Sequence, residues 1–416
     1  MDSARSKRDD PNDSVNGEKE GLESFDMETV KEEEKDIYPW LVVLSTFLIL
    51  TVGLATGQSC FAQTIYNILI NVLSPLSQLI LSTLGSRNTL LVSVVISSLG
   101  LLLASFSTEV WHLYLTHGVV YGTGVSIMFY IALSIVPQYF SKHRGIALGL
   151  TFSGISIGGL VFPFVMDPLN SRFGANWCYR IMSLICLVIG LLACCLLGIK
   201  KDTKSKHAIK VPPLKETFDF SVAKDWRYLL WCITDILLEA GYNTPAYFLP
   251  SYATHLGLSS YQGALILSVG SGLNAIGRAL SGLLADYIGH VNVVILYCTL
   301  SGLSCLLLWT FATNFETLLA FSIIYGFFGG AFITLTPAIL MLVTGYEKFE
   351  TGISVFLVIT VISMLGPNLA GTIESSVKGL GPFESYKYFT GICYLVGVVL
   401  LVVFRFSLKK RLFIII

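Results

Sequence analysis

Three ionisable side chains lie inside long apolar stretches of the sequence: Asp235, Glu239 and Arg278. Charged groups in such stretches are costly to keep and mark substrate or ion pathways. A guanidinium stays charged and can hold a planar anion with two hydrogen bonds, whereas a buried carboxylate can exchange protons near neutral pH. The residue types therefore predict an anion-binding group and a proton carrier.

The two acidic residues are one helical turn apart. If a helix begins near Trp226, Glu239 lies about 20 Å along it at about 1.5 Å per residue, close to the middle of a bilayer. We expect Glu239, with Asp235 beside it, to serve as the proton-coupling group. Two alternatives are that Glu239 pairs with Arg278, or that it faces a wet cavity.

The elements that must position these groups are membrane helices. Hydrophobic residues make up 54% of the 416-residue chain, charged residues 13%, and the mean hydropathy is +0.71. These values lie well outside those of soluble domains. Runs of about 20 apolar residues cross a bilayer as helices, and the chain divides into roughly twelve of them. The sequence predicts an all-α polytopic membrane protein with twelve transmembrane helices.

A composition shift near the middle divides the chain, because the residues between 200 and 225 are polar and rich in lysine. The acidic start lacks the pattern of a signal peptide and is typical of disordered segments. We therefore predict five parts in order: a disordered acidic cytoplasmic tail (1–36), an N-terminal six-helix half (37–199), a cytoplasmic linker (200–225), a C-terminal six-helix half (226–406) and a cytoplasmic tail (407–416).

An internal repeat supports two parallel halves. Four landmarks of the first half recur at one constant offset in the second, which indicates duplicated halves: Tyr121-Gly122 as Tyr325-Gly326, Gly85 as Gly289, Asn88 as Asn292, and Pro163 as Pro367. The first hairpin is shorter than its copy. Two helices of membrane length nearly fill it, which predicts a very tight turn near Phe61 to Ile65.

The stretch from Tyr139 to Gly159 reads YFSKHRGIALGLTFSGISIGG. Its basic residues Lys142 and Arg144 precede the apolar part, and the positive-inside bias places such residues at the cytoplasmic side. Glycines four apart fall on one helix face and allow close helix approach. This pattern resembles the fifth-helix signature of the monocarboxylate transporter family within the major facilitator superfamily. The stretch 247–286 resembles the fungal branch of that family.

The resemblance implies roles for several residues. In the family, an Arg that matches Arg278 pairs with the substrate carboxylate, while an Asp one turn earlier and a Lys in the first span help to carry protons. Here those two positions are Asn274 and Gln58, which do not titrate. The resemblance thus disfavours lactate and proton symport. Aromatic and amide groups line such cavities, so the predicted substrate-binding residues are Arg278, Asn274, Gln58, Tyr121, Tyr325 and Asn243.

A gate is also implied. The segment Gly282 to Gly289 resembles the superfamily's cytoplasmic motif, in which a carboxylate at a helix end latches the outward-open state. Asp286 is that carboxylate, and its counterpart in the first half is Ser82, so the first-half latch is weakened or absent. A solvated helix-end charge is the alternative for Asp286. The predicted gating residues are Asp286, Gly289, Gly85, Arg87, Lys142 and Arg144.

The leading prediction is a secondary transporter of a small organic solute, a monocarboxylate-like organic anion, that works by alternating access. The alternatives are a riboflavin-type facilitated carrier, a secondary-metabolite efflux carrier and a nutrient receptor that does not transport. The sequence contains no nucleotide-binding loop, HExxH motif or paired catalytic motif, so an enzyme is not expected.

The predicted class of protein also predicts its partners and its location. The partners are a small-molecule substrate and the lipid bilayer, with an accessory membrane subunit left open and no nucleic acid. The plasma membrane is the default location, with both termini cytoplasmic. No cofactor or metal is expected, because the nine cysteines show no metal-ligand spacing and are predicted to be free, buried thiols.

Overall fold

The computed structural model describes residues 37–54, 60–140, 142–198, 220–377 and 381–408. All regular structure in these ranges is helical, and nine of the described helices are long and apolar enough to cross a membrane. Four predicted features lie outside the described residues: the acidic tail (1–36), most of the linker (200–225), most of the final tail (407–416) and Gln58. The cysteines whose side chains are described are free thiols, and all of them are buried except Cys195, which is exposed.

The first half makes six crossings. Its helices are α1 (Tyr38–Gly53), α2 (Cys60–Val72), α3 (Ser74–Ala104), α4 (Val110–Leu113), α5 (Gly122–Tyr139), α6 (Arg144–Phe173) and α7 (Ala175–Leu197). The π-helical segment Tyr114–Tyr121 joins α4 to α5. Helix α3 contains the end of the second crossing and the whole of the third, because Gly85 interrupts it with a φ of 74°. Only glycine adopts this conformation without steric cost.

The second half also makes six crossings. After a 3-10 turn at Phe220–Lys224, its helices are α8 (Trp226–His255), α9 (Ser260–Ile288), α10 (His290–Ser304), α11 (Phe315–Gly329), α12 (Ala331–Thr344), α13 (Phe349–Thr360), α14 (Gly366–Ser376) and α15 (Glu384–Leu408). Gly330 separates α11 from α12, and the 3-10 segment Val361–Leu365 separates α13 from α14. Each pair forms one interrupted crossing.

The predicted repeat has equivalent local structure in both halves. Gly289 ends α9 with a φ of 94°, as Gly85 does within α3. The side-chain amide of Asn88 donates to the Leu84 carbonyl at 3.2 Å, and that of Asn292 donates to the Ile288 carbonyl at 2.6 Å. These features and the helix order confirm the predicted all-α fold of twelve transmembrane helices in two six-helix halves.

The predicted turn near Phe61 to Ile65 is wrong, because those positions lie inside α2. Helix α1 ends at Gly53, earlier than a helix of full membrane length would. Backbone carbonyls at a helix end need hydrogen-bond donors. The Gly53 carbonyl accepts from the Tyr66 hydroxyl at 2.7 Å and from the Tyr121 hydroxyl at 2.8 Å. Two buried tyrosines therefore stabilise an early helix end that the hydropathy pattern does not reveal.

Helices α6 and α9 pack closely across the two halves. The backbones of Gly145 and Gly282 touch, and a Cβ atom built on Gly149 would lie 2.6 Å from the Arg278 carbonyl oxygen. Lipid supplies no hydrophobic drive for helix association, so small residues that allow backbone contact stabilise such pairs. We call this contact the glycine seam. It holds the backbone of Arg278 against the first half.

The glycine seam predicts a strong effect of one added methyl group. Gly149→Ala places the new Cβ against backbone that cannot rotate away, and overpacking of this kind costs about 1–3 kcal/mol. We expect a lower melting temperature for the purified protein in detergent. Gly159→Ala on the same helix is the control, because its Cβ would meet Ser271 at 3.6 Å, an ordinary contact. Equal losses in both variants would contradict the seam.

Candidate functional site

A cavity of about 360 Å³ lies between the two halves. The first half lines it mainly with apolar and amide groups: Leu54, Tyr66, Asn67, Ile70, Asn71, Phe129, Leu133 and Ile155. The second half adds the charged and hydroxyl groups: Asp235, Glu239, Tyr242, Asn243, Ala246, Tyr247, Arg278, Phe332, Ile333, Thr336, Phe356, Leu357, Thr360 and Met364. Its volume is within the range of pockets that enclose drug-sized ligands.

Arg278 is the cation of this cavity. Its side chain is only 2% exposed, and its hydrogen bonds among the described residues all go to uncharged oxygens. Nε donates to Asn274 Oδ1 at 2.7 Å, Nη1 to the Phe152 carbonyl at 3.5 Å, and Nη2 to the Tyr242 hydroxyl at 3.3 Å. A guanidinium has five N–H donors. Two donors therefore remain for a ligand.

Asn274 holds the guanidinium in place. Its Oδ1 also accepts from the Ser156 hydroxyl at 2.7 Å, and its Nδ2 donates to the Gly326 carbonyl at 2.7 Å. Ser156 belongs to α6, so this contact joins the two halves. A Cβ built on Gly330 would lie 2.8 Å from both Arg278 Nε and Asn274 Nδ2. The interruption between α11 and α12 thus leaves room for the Arg278 and Asn274 side chains.

Tyr325 supports the cavity from behind. Its hydroxyl donates to the Tyr242 carbonyl at 3.2 Å, and its ring stacks on that of Tyr242 with centroids 6.4 Å apart. Tyr325 is 8% exposed and is not among the residues that line the cavity. Its contact is therefore with Tyr242, which in turn touches Arg278.

Asp235 and Glu239 form the acidic wall of the cavity. Glu239 Oε2 accepts from the Ser363 hydroxyl at 2.6 Å, so its described partner is a hydroxyl and not Arg278. Asp235 is 4% exposed and lies beside the Thr336 hydroxyl and Glu239. The cavity therefore contains a guanidinium and two carboxyl groups that are held by separate neutral partners.

The remaining predicted substrate residues differ in position. Asn243 lines the cavity, whereas Tyr121 is fully buried behind Tyr66, on which it stacks at 5.6 Å. Sequence reasoning missed Asn67 and Asn71, which line the first-half wall. Two amides four residues apart in an apolar helix were a usable signal, because polar groups inside spans are costly.

Asp286 contacts the first half directly. Its Oδ1 accepts from the Gly145 amide at 2.7 Å and its Oδ2 accepts from the Ile146 amide at 3.0 Å. These are free amides at the N-terminus of α6, where a negative charge is stabilised by the helix dipole. Asp286 is thus bonded to the opposite half and is not simply a solvated helix-end charge. We call this contact the Asp286 latch.

The other predicted gating residues surround the same end of the bundle. Arg144 Nε donates to the Phe140 carbonyl at 3.0 Å and to the Pro137 carbonyl at 3.2 Å, which fixes the turn between α5 and α6. Arg87 packs over Gly198, and Lys142 is exposed at the turn before α6. Gly85 and Gly289 each supply a left-handed turn.

A second contact between the halves lies at this end of the bundle. Gln138 Nε2 donates to Glu350 Oε1 at 3.1 Å, and the Tyr130 hydroxyl donates to the Glu350 carbonyl at 3.1 Å. Ser74 Oγ also donates to the Ser354 carbonyl at 3.0 Å. Together with the Asp286 latch, these bonds join the two halves at this end.

The model of the Major Facilitator Superfamily matches residues 38–300. The chain belongs to the Major Facilitator Superfamily. The two halves, the cavity between them and the Asp286 latch are therefore parts of a transporter fold.

Several fungal transporters are similar to this chain. An uncharacterized transporter of Saccharomyces cerevisiae is 30% identical over 82% of this chain, and the chain spans about half (52%) of that relative's length. The agnestins efflux protein of Paecilomyces divaricatus is 30% identical over 79% of this chain and 73% of its own. The aspyridones efflux protein of Emericella nidulans is 28% identical over 72% and 59%, respectively.

Solved structures show the same fold. The superfamily transporter FucP in its outward conformation has a TM-score of 0.68 at 14% identity, over 89% of this chain and 99% of that one. A human organic anion transporter has a TM-score of 0.66 at 16% identity, over 87% and 99%.

The Asp286 latch predicts a local change in backbone protection. Asp286→Asn removes the charge that two amides share, and hydrogen bonds to charged groups contribute about 1.5–3 kcal/mol. We expect amide hydrogen exchange in the first turn of α6 to accelerate about tenfold or more, since about 1.4 kcal/mol is a factor of ten.

The matched control is Asp225→Asn. Asp225 accepts from the Arg227 amide at 2.9 Å, so it caps a helix within one half. Its loss should accelerate exchange at the start of α8 and leave α6 unchanged. If Asp286→Asn leaves exchange in α6 at the wild-type rate, the latch does not hold the two halves together.

Proposed function

We propose that this transporter exports a small organic acid with an aromatic or otherwise bulky body, in exchange for protons, by alternating access. The observation that carries the proposal is the buried Arg278, which lines the cavity between the halves and whose described hydrogen bonds all go to neutral groups. A buried charge without an opposite charge is costly. An anionic ligand would supply that charge.

The export direction is supported by the relatives. Two of them are named efflux proteins for agnestins and aspyridones. The cavity also favours a substrate larger than a short acid, because six aromatic side chains line it and a three-carbon acid would fill a small part of about 360 Å³. We therefore prefer efflux of an organic acid to uptake of a simple monocarboxylate.

Glu239 is the proposed coupling residue, with Asp235 beside it. The groups that face this pair are the Ser363 and Thr336 hydroxyls, the thiols of Cys232 and Cys298, and Arg278 across the cavity. Both carboxylates line the cavity, so each has access to the solute path. A proton and a substrate would then compete for binding in the same cavity, as exchange requires.

A monocarboxylate carrier is the second candidate. It rests on the resemblance of the Tyr139 to Gly159 stretch and on the match of Arg278 to the family's substrate arginine. Against proton symport stand Asn274 and Gln58, which occupy the family's titrating positions. The proposal also includes the five-part division of the chain and a plasma-membrane location with both termini cytoplasmic. The Asp286 latch would then close the cytoplasmic end.

Transport in proteoliposomes distinguishes these functional hypotheses. We expect labelled 4-hydroxybenzoate to accumulate in vesicles with an acidic lumen, because outward proton flow would drive exchange, with protein-free liposomes as the baseline. Labelled lactate and riboflavin should stay at the baseline. Lactate accumulation in vesicles with an alkaline lumen would instead establish symport of a monocarboxylate. Binding of a probe without accumulation would favour a receptor.

Glu239→Gln tests the coupling residue. The amide keeps the shape and the capacity to accept from Ser363 but carries no proton to exchange. We expect accumulation driven by the proton gradient to fall at least tenfold, while counterflow of labelled against unlabelled 4-hydroxybenzoate continues. Glu316→Gln, an exposed acid in the first turn of α11, is the matched control. If accumulation by Glu239→Gln depended on the proton gradient as in the wild type, Glu239 would not be the coupling residue.

A further inference from the structure

The acidic wall has unused hydrogen-bonding capacity. An ionised carboxylate offers two oxygens and about four acceptor sites. The described hydrogen bond of Glu239 uses Oε2 and comes from one hydroxyl, that of Ser363. Asp235 lies one turn earlier on the same face of α8, and both carboxylates line the cavity. This wall can therefore accept further N–H or O–H donors from a ligand.

The basic wall is separate from it. Arg278 belongs to α9, and its three described hydrogen bonds go to Asn274, the Phe152 carbonyl and the Tyr242 hydroxyl. The guanidinium and the two carboxyl groups therefore share one cavity without a described ion pair between them. Because each charge is held by neutral partners, both stay available to a solute in the space between them.

The space between the two walls suits a flat body. Rings of Phe129, Phe332 and Phe356 line it together with those of Tyr66, Tyr242 and Tyr247. The Tyr242 and Phe332 rings meet edge to face, with centroids 5.8 Å apart at 81°. Aromatic walls of this kind favour stacked or edge contacts with another ring.

We infer that the solute is bipolar: an aromatic acid whose acidic group binds Arg278 and whose other end carries a hydrogen-bond donor, a hydroxyl or an ammonium, that binds Asp235 and Glu239. This inference rests on the proposed function, since it names the substrate class of the same cavity. A plain aromatic acid would leave the acidic wall without a donor. A neutral phenol would leave the guanidinium without an anion.

Four probes of one shape test the inference by binding alone. They are 4-hydroxybenzoate, 4-(aminomethyl)benzoate, benzoate and 4-hydroxybenzamide, and each is titrated against the purified full chain in detergent. A ligand that binds the folded state raises the melting temperature, and the shift grows with the logarithm of the ratio of its concentration to its Kd. We expect at least one of the two bipolar probes to bind about tenfold or more tightly than both benzoate and the benzamide.

Variants assign each end of the probe. Glu239→Gln combined with Asp235→Asn should bring the affinity for the preferred bipolar probe down to that for benzoate, and Arg278→Lys should weaken all three acids. Glu316→Gln is the control. If the double variant does not fold, the series on the wild-type chain still decides the matter. The ratio of the two bipolar probes identifies the donor as hydroxyl or ammonium.

The outcomes are separable from those of the transport assay. Donor preference without transport driven by a proton gradient would support the bipolar site and contradict the proposed exchange. Transport with equal affinity for benzoate and both bipolar probes would support the exchange and overturn the bipolar site. Failure of all four probes to bind would also overturn it.

Discussion

The contact between α6 and α9 is the constraint on which the rest of the structure depends. Lipid does not drive helices together, so the two halves meet where glycines allow backbones to touch. The touching pair Gly145 and Gly282 lies next to the Asp286 latch, and Gly149 lies against the Arg278 carbonyl. One seam therefore positions both the Asp286 latch and the Arg278 cation within the cavity.

The second constraint is the burial of charge. Arg278 is held by an amide, a backbone carbonyl and a phenol, and Glu239 by a hydroxyl. Neutral partners lower the cost of burial without cancelling the charge. This explains why Asn274 suits its position: it accepts from Arg278 Nε and leaves the cationic charge for a ligand. It also allows cation and carboxylates to coexist in one cavity.

The contacts between the halves at the Asp286 end are asymmetric. On one side a carboxylate accepts from two backbone amides of α6. At the equivalent position of the first half, Ser82 donates to the Leu79 carbonyl of its own helix at 2.9 Å, and the contact to the other half uses Ser74, Gln138 and Glu350 instead. The repeat preserves the turn geometry at Gly85 and Gly289. It does not preserve the chemistry of the latch.

Much of the fold was determined by sequence alone, because the bilayer demands long apolar helices and makes polar interruptions conspicuous. The sequence pattern predicted the crossings, the duplicated turns and the three ionisable residues of the cavity wall. Tertiary structure decided the rest. Hydropathy shows that Tyr121 and Tyr325 lie in spans, but only helix rotation and packing show that they stand behind Tyr66 and Tyr242.

The early end of α1 and the hydrogen-bond partners of Asp286 were also decided by the tertiary structure. Each depends on donors or acceptors that come from distant parts of the chain: the hydroxyls of Tyr66 and Tyr121 for Gly53, and the amides of Gly145 and Ile146 for Asp286. A linear pattern records what each residue offers. Which groups meet is set by the close approach of helices, and that is decided only when the halves pack.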